Sequence, residues 1–165
     1  MKILRCILYV VMMFLACSCH EWETYSEIPH IEFLEYQLLI DADSVPQKGV
    51  IVFSFTDGDG DIGLKENETE PPYDYNLFIE YLELHDGEWK HHVNEMGDTV
   101  NFNSRIPVIT PAGDDKNLSG TIYDTVSLNK YSPVDTFKYI IYIKQKYYGF
   151  FFKIFLIFPQ KAWRS

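Results

Sequence analysis

The stretch Gly49 to Thr56, GVIVFSFT, sets Ile51, Phe53 and Phe55 on one side of an extended chain and Val50 and Val52 on the other. Successive side chains of a strand alternate between faces, so both faces of this one are apolar. Such a strand needs cover on both sides, and it predicts a buried central position. Comparable strand-like runs occupy Ile28 to Ile40, Tyr75 to Leu84, Trp89 to Val93, Val100 to Ile109, Leu118 to Leu128 and Thr136 to Lys144. In the last of these, Phe137, Tyr139, Ile141 and Ile143 recur at every second position. Asp86-Gly87 predicts a tight hairpin turn into Trp89, and TPAGDD, Thr110 to Asp115, predicts a longer turn region.

No segment repeats apolar residues at helical spacing between caps, and turn signals recur at the intervals of a sandwich. Seven such strands predict an all-β, antiparallel β-sandwich of the Ig-like or fibronectin-like kind over residues 28–146. At 165 residues and 47% hydrophobic content, the chain is long enough for one ordinary core and one domain.

The first residues are set apart. Lys2 and Arg5 precede an apolar run from Cys6 to Ala16, which has the form of an export signal over residues 1–16. The run is about half the roughly 20 apolar residues that a spanning helix needs. FLACSC, Phe14 to Cys19, resembles the lipobox of bacterial lipoproteins, in which a cysteine after a small residue is acylated and becomes the new N-terminus. Cys17, behind Ala16, Leu15 and Phe14, is the expected attachment site, with Cys19 as the alternative register. Several acyl chains anchor a protein stably without any spanning helix, each buried methylene contributing about 0.8 kcal/mol. Residues 17–27 then form a polar tether. Within it HEWE, with Glu21 and Glu23, resembles the acidic tag of surface-exposed lipoproteins. The expected location is the outer membrane, facing the cell surface or, alternatively, the periplasm.

All three cysteines lie in this N-terminal segment, so no disulfide pair is available to the domain. Two of the 14 basic side chains, Lys2 and Arg5, belong to the leader, which sets 12 against 24 acidic ones in the mature chain, a net 12 − 24 = −12 with neutral histidines. That charge repels polyanions and excludes nucleic acid as a partner. Catalytic patterns are missing as well. No serine stands in a nucleophile elbow, no glycine loop leads into a helix, and adjacent His91 and His92 point to opposite faces of a strand. The expectation is a protein that is not an enzyme.

One constellation remains. FTDGDGDIG, Phe55 to Gly63, places Asp57, Asp59 and Asp61 two residues apart among glycines. They match the first, third and fifth ligands of an EF-hand loop, with Glu68 at the twelfth. Ile62 stands where that loop requires glycine, Lys65 takes the ninth position, and a strand leads in, so an EF-hand is not expected. A sandwich loop holding Ca2+ through the same four carboxylates is one reading, and a plain acidic turn is the other. Spaced about 5.5 Å apart in water, the three aspartates repel by roughly 0.8 kcal/mol per pair, a cost tolerable without metal. The connection that follows, broken by Pro71 and Pro72, exceeds the 12–15 residues usual in a compact domain.

The C-terminal block YYGFFFKIFLIF, Tyr147 to Phe158, abandons alternation for nearly continuous aromatic and aliphatic residues. It reads either as a buried edge strand or as the translation of a shifted frame, which makes residues 147–165 an atypical tail.

The order strand, FTDGDGDIGL, polar loop, PPYDYNLFIEY, hairpin, then RIPVITPAGDDKNLSGTI resembles small Ig-like lipoproteins of gut Gram-negative bacteria from about Ile28 to Ile143. The resemblance implies an exported, lipid-anchored sandwich and brings no catalytic residues with it. The expected role is a non-catalytic binding or structural module on the envelope, partnered by an envelope protein or glycan. The alternative is a glycan-binding accessory of a nutrient-uptake system, with Trp89, Tyr73 and Tyr75 stacking on sugars beside the acidic loop.

Overall fold

A computed structural model describes residues 24–40, 46–128, 134, 136–145 and 151–159. The leader, both cysteine registers and most of the tether lie outside these. Seven strands are present: β1 (His30–Ile40), β2 (Pro46–Asp57), β3 (Leu77–His85), β4 (Glu88–His91), β5 (Leu118–Ser127), β6 (Thr136–Lys144) and β7 (Phe151–Pro159). They form two antiparallel sheets, ordered β1-β2-β5 and β4-β3-β6-β7, and no helix occurs among the described residues. The chain is an all-β sandwich. The fourth strand stays beside the third instead of crossing to the first sheet as in a constant-type Ig domain.

Between the sheets, Ile51, Phe53 and Phe55 of β2 face Leu77, Ile79 and Tyr81 of β3 and Phe137, Tyr139, Ile141 and Ile143 of β6. β2 is the central strand of its sheet, and Val50 and Val52 on its other face are buried too. In β1 the register shifts between Phe33 and Glu35, leaving Leu34 half exposed as a bulged residue. The extra residue resets the alternation, so Phe33 before the bulge and Tyr36 after it both pack on the core. The hairpin between β3 and β4 turns through Asp86 and Gly87, both at positive φ, as a two-residue hairpin turn of this hand requires.

Two expectations need correcting. Val100 to Ile109 is not a strand. It makes only isolated bridges, Asn101 to Glu80, Ser104 to Leu77 and Pro107 to Leu64. β4 is four residues long and covers only Leu82–His85 of its neighbour; the N–H groups of Phe102 and Ser104 occupy the rest of that edge by donating to the carbonyls of Ile79 and Leu77. The sequence there is too polar and too broken by Pro107 to continue as a ladder. The seventh strand is instead β7, within the aromatic block, at the edge of the second sheet beside β6. Leu156 is buried, and Phe158 packs on Tyr36 and Phe137 with ring centroids 4.4 and 5.5 Å apart.

Candidate metal centre

β2 ends at Asp57, opposite Leu118 at the start of β5, and the chain then leaves the sheet as the acidic loop. The loop is fastened at its far side by apolar side chains: Ile62 and Leu64 are both buried, Ile62 within the hydrophobic core. That inward anchor explains why the glycine position of an EF-hand carries isoleucine here. Gly60 adopts φ of 69°, and a Cβ on it would stand 2.7 Å from the Lys116 carbonyl oxygen. Curled between these fixed points, the loop turns Asp57, Asp59 and Asp61 inward, with one carboxylate oxygen from each lying within 4.8 Å of the others. Among the described residues this is the one group of His, Cys, Asp and Glu close enough for a shared ion.

The surroundings are unusual for an acidic turn. Asp57 is fully buried, and neither of its carboxylate oxygens has a hydrogen-bond partner of ordinary geometry; the same holds for Asp59 Oδ1 and Asp61 Oδ2. A fourth side chain enters from the end of β6. Gln145, 1% exposed, donates through Nε2 to Asp61 Oδ1 at 2.6 Å and to the Glu27 carbonyl at 3.0 Å, and its own Oε1 has no partner. Five buried oxygens without a hydrogen-bond partner of ordinary geometry therefore belong to the three clustered aspartates and to the glutamine bonded to Asp61. Buried polar atoms are nearly always satisfied, so acceptors grouped in this way could hold a metal ion.

Magnitudes sharpen the point. At 4.8 Å, and the effective dielectric of about 20 that suits such groups, two ionised carboxylates repel by about 3.5 kcal/mol. Three such pairs cost about 10 kcal/mol, as much as the whole stability of an ordinary domain. The trio is thus far more expensive than the solvated version expected from sequence. Without a cation the proton takes its place: burial, followed by the hydrogen bond and charge of Asp59 and the charge of Asp61, pushes Asp57 up to about 7, against a small opposing effect of the Ile62 N–H. Burial raises Asp61 as well, partly offset by the Gln145 amide.

Glu68 does not join the three aspartates. Its Oε2 accepts from the Lys65 N–H at 2.8 Å while its own N–H donates to the Lys65 carbonyl, a reciprocal pair that closes a turn. Counting twelve positions along the chain placed it at the site; the inward turn at Ile62 takes it away. The long connection after Leu64 is ordered from elsewhere. Arg105 donates to the carbonyls of Glu68, Tyr73 and Asp74 through one guanidinium nitrogen, at 2.6, 2.9 and 2.8 Å, and to that of Lys65 through the other at 3.0 Å. The buried amide of Asn76 bonds the Ile62 carbonyl and both backbone groups of Ile106. Sequence reading missed Arg105, Asn76 and Gln145, whose partners lie tens of residues away.

The aromatic residues proposed for sugar stacking are split apart. Tyr73 and Tyr75 belong to the connection before β3, whereas Trp89 pairs with Leu84 near the other end of that strand. That is seven residues from Leu77, or about 23 Å, and the Lys138 ammonium sits 4.4 Å from the centre of the Trp89 ring. A second polar cluster lies at that end: buried Glu83 accepts from the Tyr81 hydroxyl at 3.0 Å and bonds His85 Nε2 at 3.1 Å and His92 Nδ1 at 3.2 Å. His92 is therefore a partner of a buried carboxylate, whereas His91, the last residue of β4, is exposed.

No protein-family model, no curated protein and no solved structure matches this chain.

Proposed function

We propose that the chain is a non-catalytic binding or structural β-sandwich of the Ig-like kind, carried at the outer membrane by acyl chains on Cys17 or Cys19 and ordered by a bound calcium ion. The observation that carries the metal reading is the convergence of one oxygen from each of Asp57, Asp59 and Asp61, with fully buried Asp57 lacking a partner of ordinary geometry on either oxygen. Their chemistry selects the ion. All are hard oxygen donors with no sulfur or imidazole among them, which suits Ca2+ or Mg2+ rather than Zn2+. Ca2+ binds oxygen at 2.3–2.6 Å, so two of its ligands stand up to about 5 Å apart; the shorter Mg2+ bonds allow only about 4 Å. The three oxygens, all within 4.8 Å of one another, lie inside the range that the larger ion spans. Three carboxylates and a neutral amide leave room for water or backbone oxygen to complete six to eight ligands. The anchoring rests on the leader and on the small-residue-cysteine pattern behind it.

Melting of the purified protein with calcium and with chelator tests the metal. At a hundred times its dissociation constant an ion bound only to the folded state stabilises it by about 2.7 kcal/mol, several degrees in Tm for a domain of this size. The double substitution Asp59→Asn, Asp61→Asn abolishes that rise. Equal melting of the wild type in both conditions would defeat the proposal.

A further inference from the structure

We propose that a cation in the Asp57, Asp59 and Asp61 site latches the chain ahead of β1 onto the sandwich, so that calcium decides whether the segment leading to the anchor is fixed or free. The inference rests on the cation reading above, to which Gln145, buried, bonded to Asp61 and with its amide oxygen unpartnered, contributes an observation independent of the acidic cluster.

Residues 25–27, expected as the end of a solvated tether, are held at three points. The Tyr25 N–H donates to Asn117 Oδ1 at 2.9 Å. The Ser26 carbonyl accepts from the Gly58 N–H at 2.8 Å, and the Glu27 carbonyl accepts from Gln145 Nε2 at 3.0 Å. Two of these three partners belong to the site itself. Gly58 lies between Asp57 and Asp59, and the same Gln145 nitrogen holds Asp61. The fit leaves no slack, since a Cβ on Gly58 would stand 2.4 Å from the Tyr25 carbonyl oxygen.

The physical link is direct. With no cation, mutual repulsion between ionised carboxylates drives them apart, and the loop moves with them, carrying Gly58 and Asp61. The bonds to Ser26 and, through Gln145, to Glu27 are then lost together. With a cation, repulsion becomes attraction to a common centre, the loop is fixed, and Gly58 and Gln145 are presented to the segment in register. Coupling of this kind is reciprocal: whatever factor calcium adds to docking, docking adds to calcium affinity.

Amide hydrogen exchange of the mature full-length protein, with calcium and with chelator, reads the latch. The expected result is at least tenfold slower exchange at Tyr25 and Gly58 with calcium, and no such change in Asp59→Asn, Asp61→Asn. Gly58→Ala, which removes no ligand, is expected to leave Tyr25 exchanging fast in calcium and to weaken calcium binding about tenfold. Should that variant fold poorly, Asn117→Ala removes the acceptor of the Tyr25 N–H, which is no part of the site, and is expected to act in the same direction. Calcium binding by calorimetry with unchanged exchange at Tyr25 and Gly58 would overturn the latch and leave the metal site standing. No calcium binding at all would overturn the metal site, and the latch would fall with it.

Discussion

At the scale of single residues, Asp57 carries the most information. An aspartate at the end of a central strand, fully buried and with no hydrogen bond of ordinary geometry to either oxygen, is costly unless a proton or a cation accompanies it. The consequence for pH has a definite sign. Its folded value of about 7 lies above the 3.8 of an ordinary aspartate, so between these values the folded chain binds a proton that the unfolded chain does not. Stability of the calcium-free protein therefore falls as pH rises from about 4 to about 7, with each unit of difference equivalent to about 1.4 kcal/mol. Calcium requires the ionised form, so its contribution is expected to vanish as pH falls below 7. Denaturant midpoints at pH 5 and pH 7.5, with calcium and with chelator, check both slopes; a chelated protein equally stable at the two pH values would contradict them. The alternating Asp-Gly pattern made the trio legible from sequence because ligands two residues apart are local. Gln145 was not legible, since the glutamine stands 84 positions from Asp61 and only the meeting of the β6 and β2 ends brings them together.

At the scale of elements, the acidic loop and the connection behind it work because other parts of the chain hold their backbone. Arg105 does this for residues 65–74, with one planar guanidinium serving four carbonyls. Lysine keeps the charge but cannot present two nitrogens in a fixed fork. Arg105→Lys is expected to lower stability by roughly 2 kcal/mol and to loosen the loop, measured as a lower denaturation midpoint and faster exchange over residues 65–74. An unchanged midpoint would show the clamp to be incidental. The strands themselves were readable where apolar residues recur at every second position, as in β6, where a short run is apolar on both faces between turn signals, as in β2, and where Asp86-Gly87 dictated the hairpin. Val100 to Ile109 misled because its apolar residues suggested a strand, while its actual role is to fill the half of the β3 edge that short β4 leaves open. β7 was hard to read for the opposite reason. A continuous apolar block lacks the period that marks a strand, and its pairing is decided by the vacant edge of β6 and by Tyr36 and Phe137 meeting Phe158.

At the scale of the whole molecule, a strongly acidic domain gathers its most crowded carboxylates at the end of the sandwich where the N-terminal chain docks. On the proposed reading, ion site, loop and N-terminal segment form one line of dependence: the ion would fix the loop, the loop would fix residues 25–27 through Gly58 and Gln145, and that segment would set how the sandwich stands at the proposed anchor. The central claim in that line is that a single ion belongs at Asp57, Asp59, Asp61 and Gln145. Equilibrium dialysis of the mature protein against radioactive calcium at pH 7.5 tests it most directly. The account predicts saturation at one ion per chain, discrimination against magnesium, and loss of binding in Asp57→Asn; no saturable binding at millimolar calcium, or an undiminished ion in that variant, would contradict it.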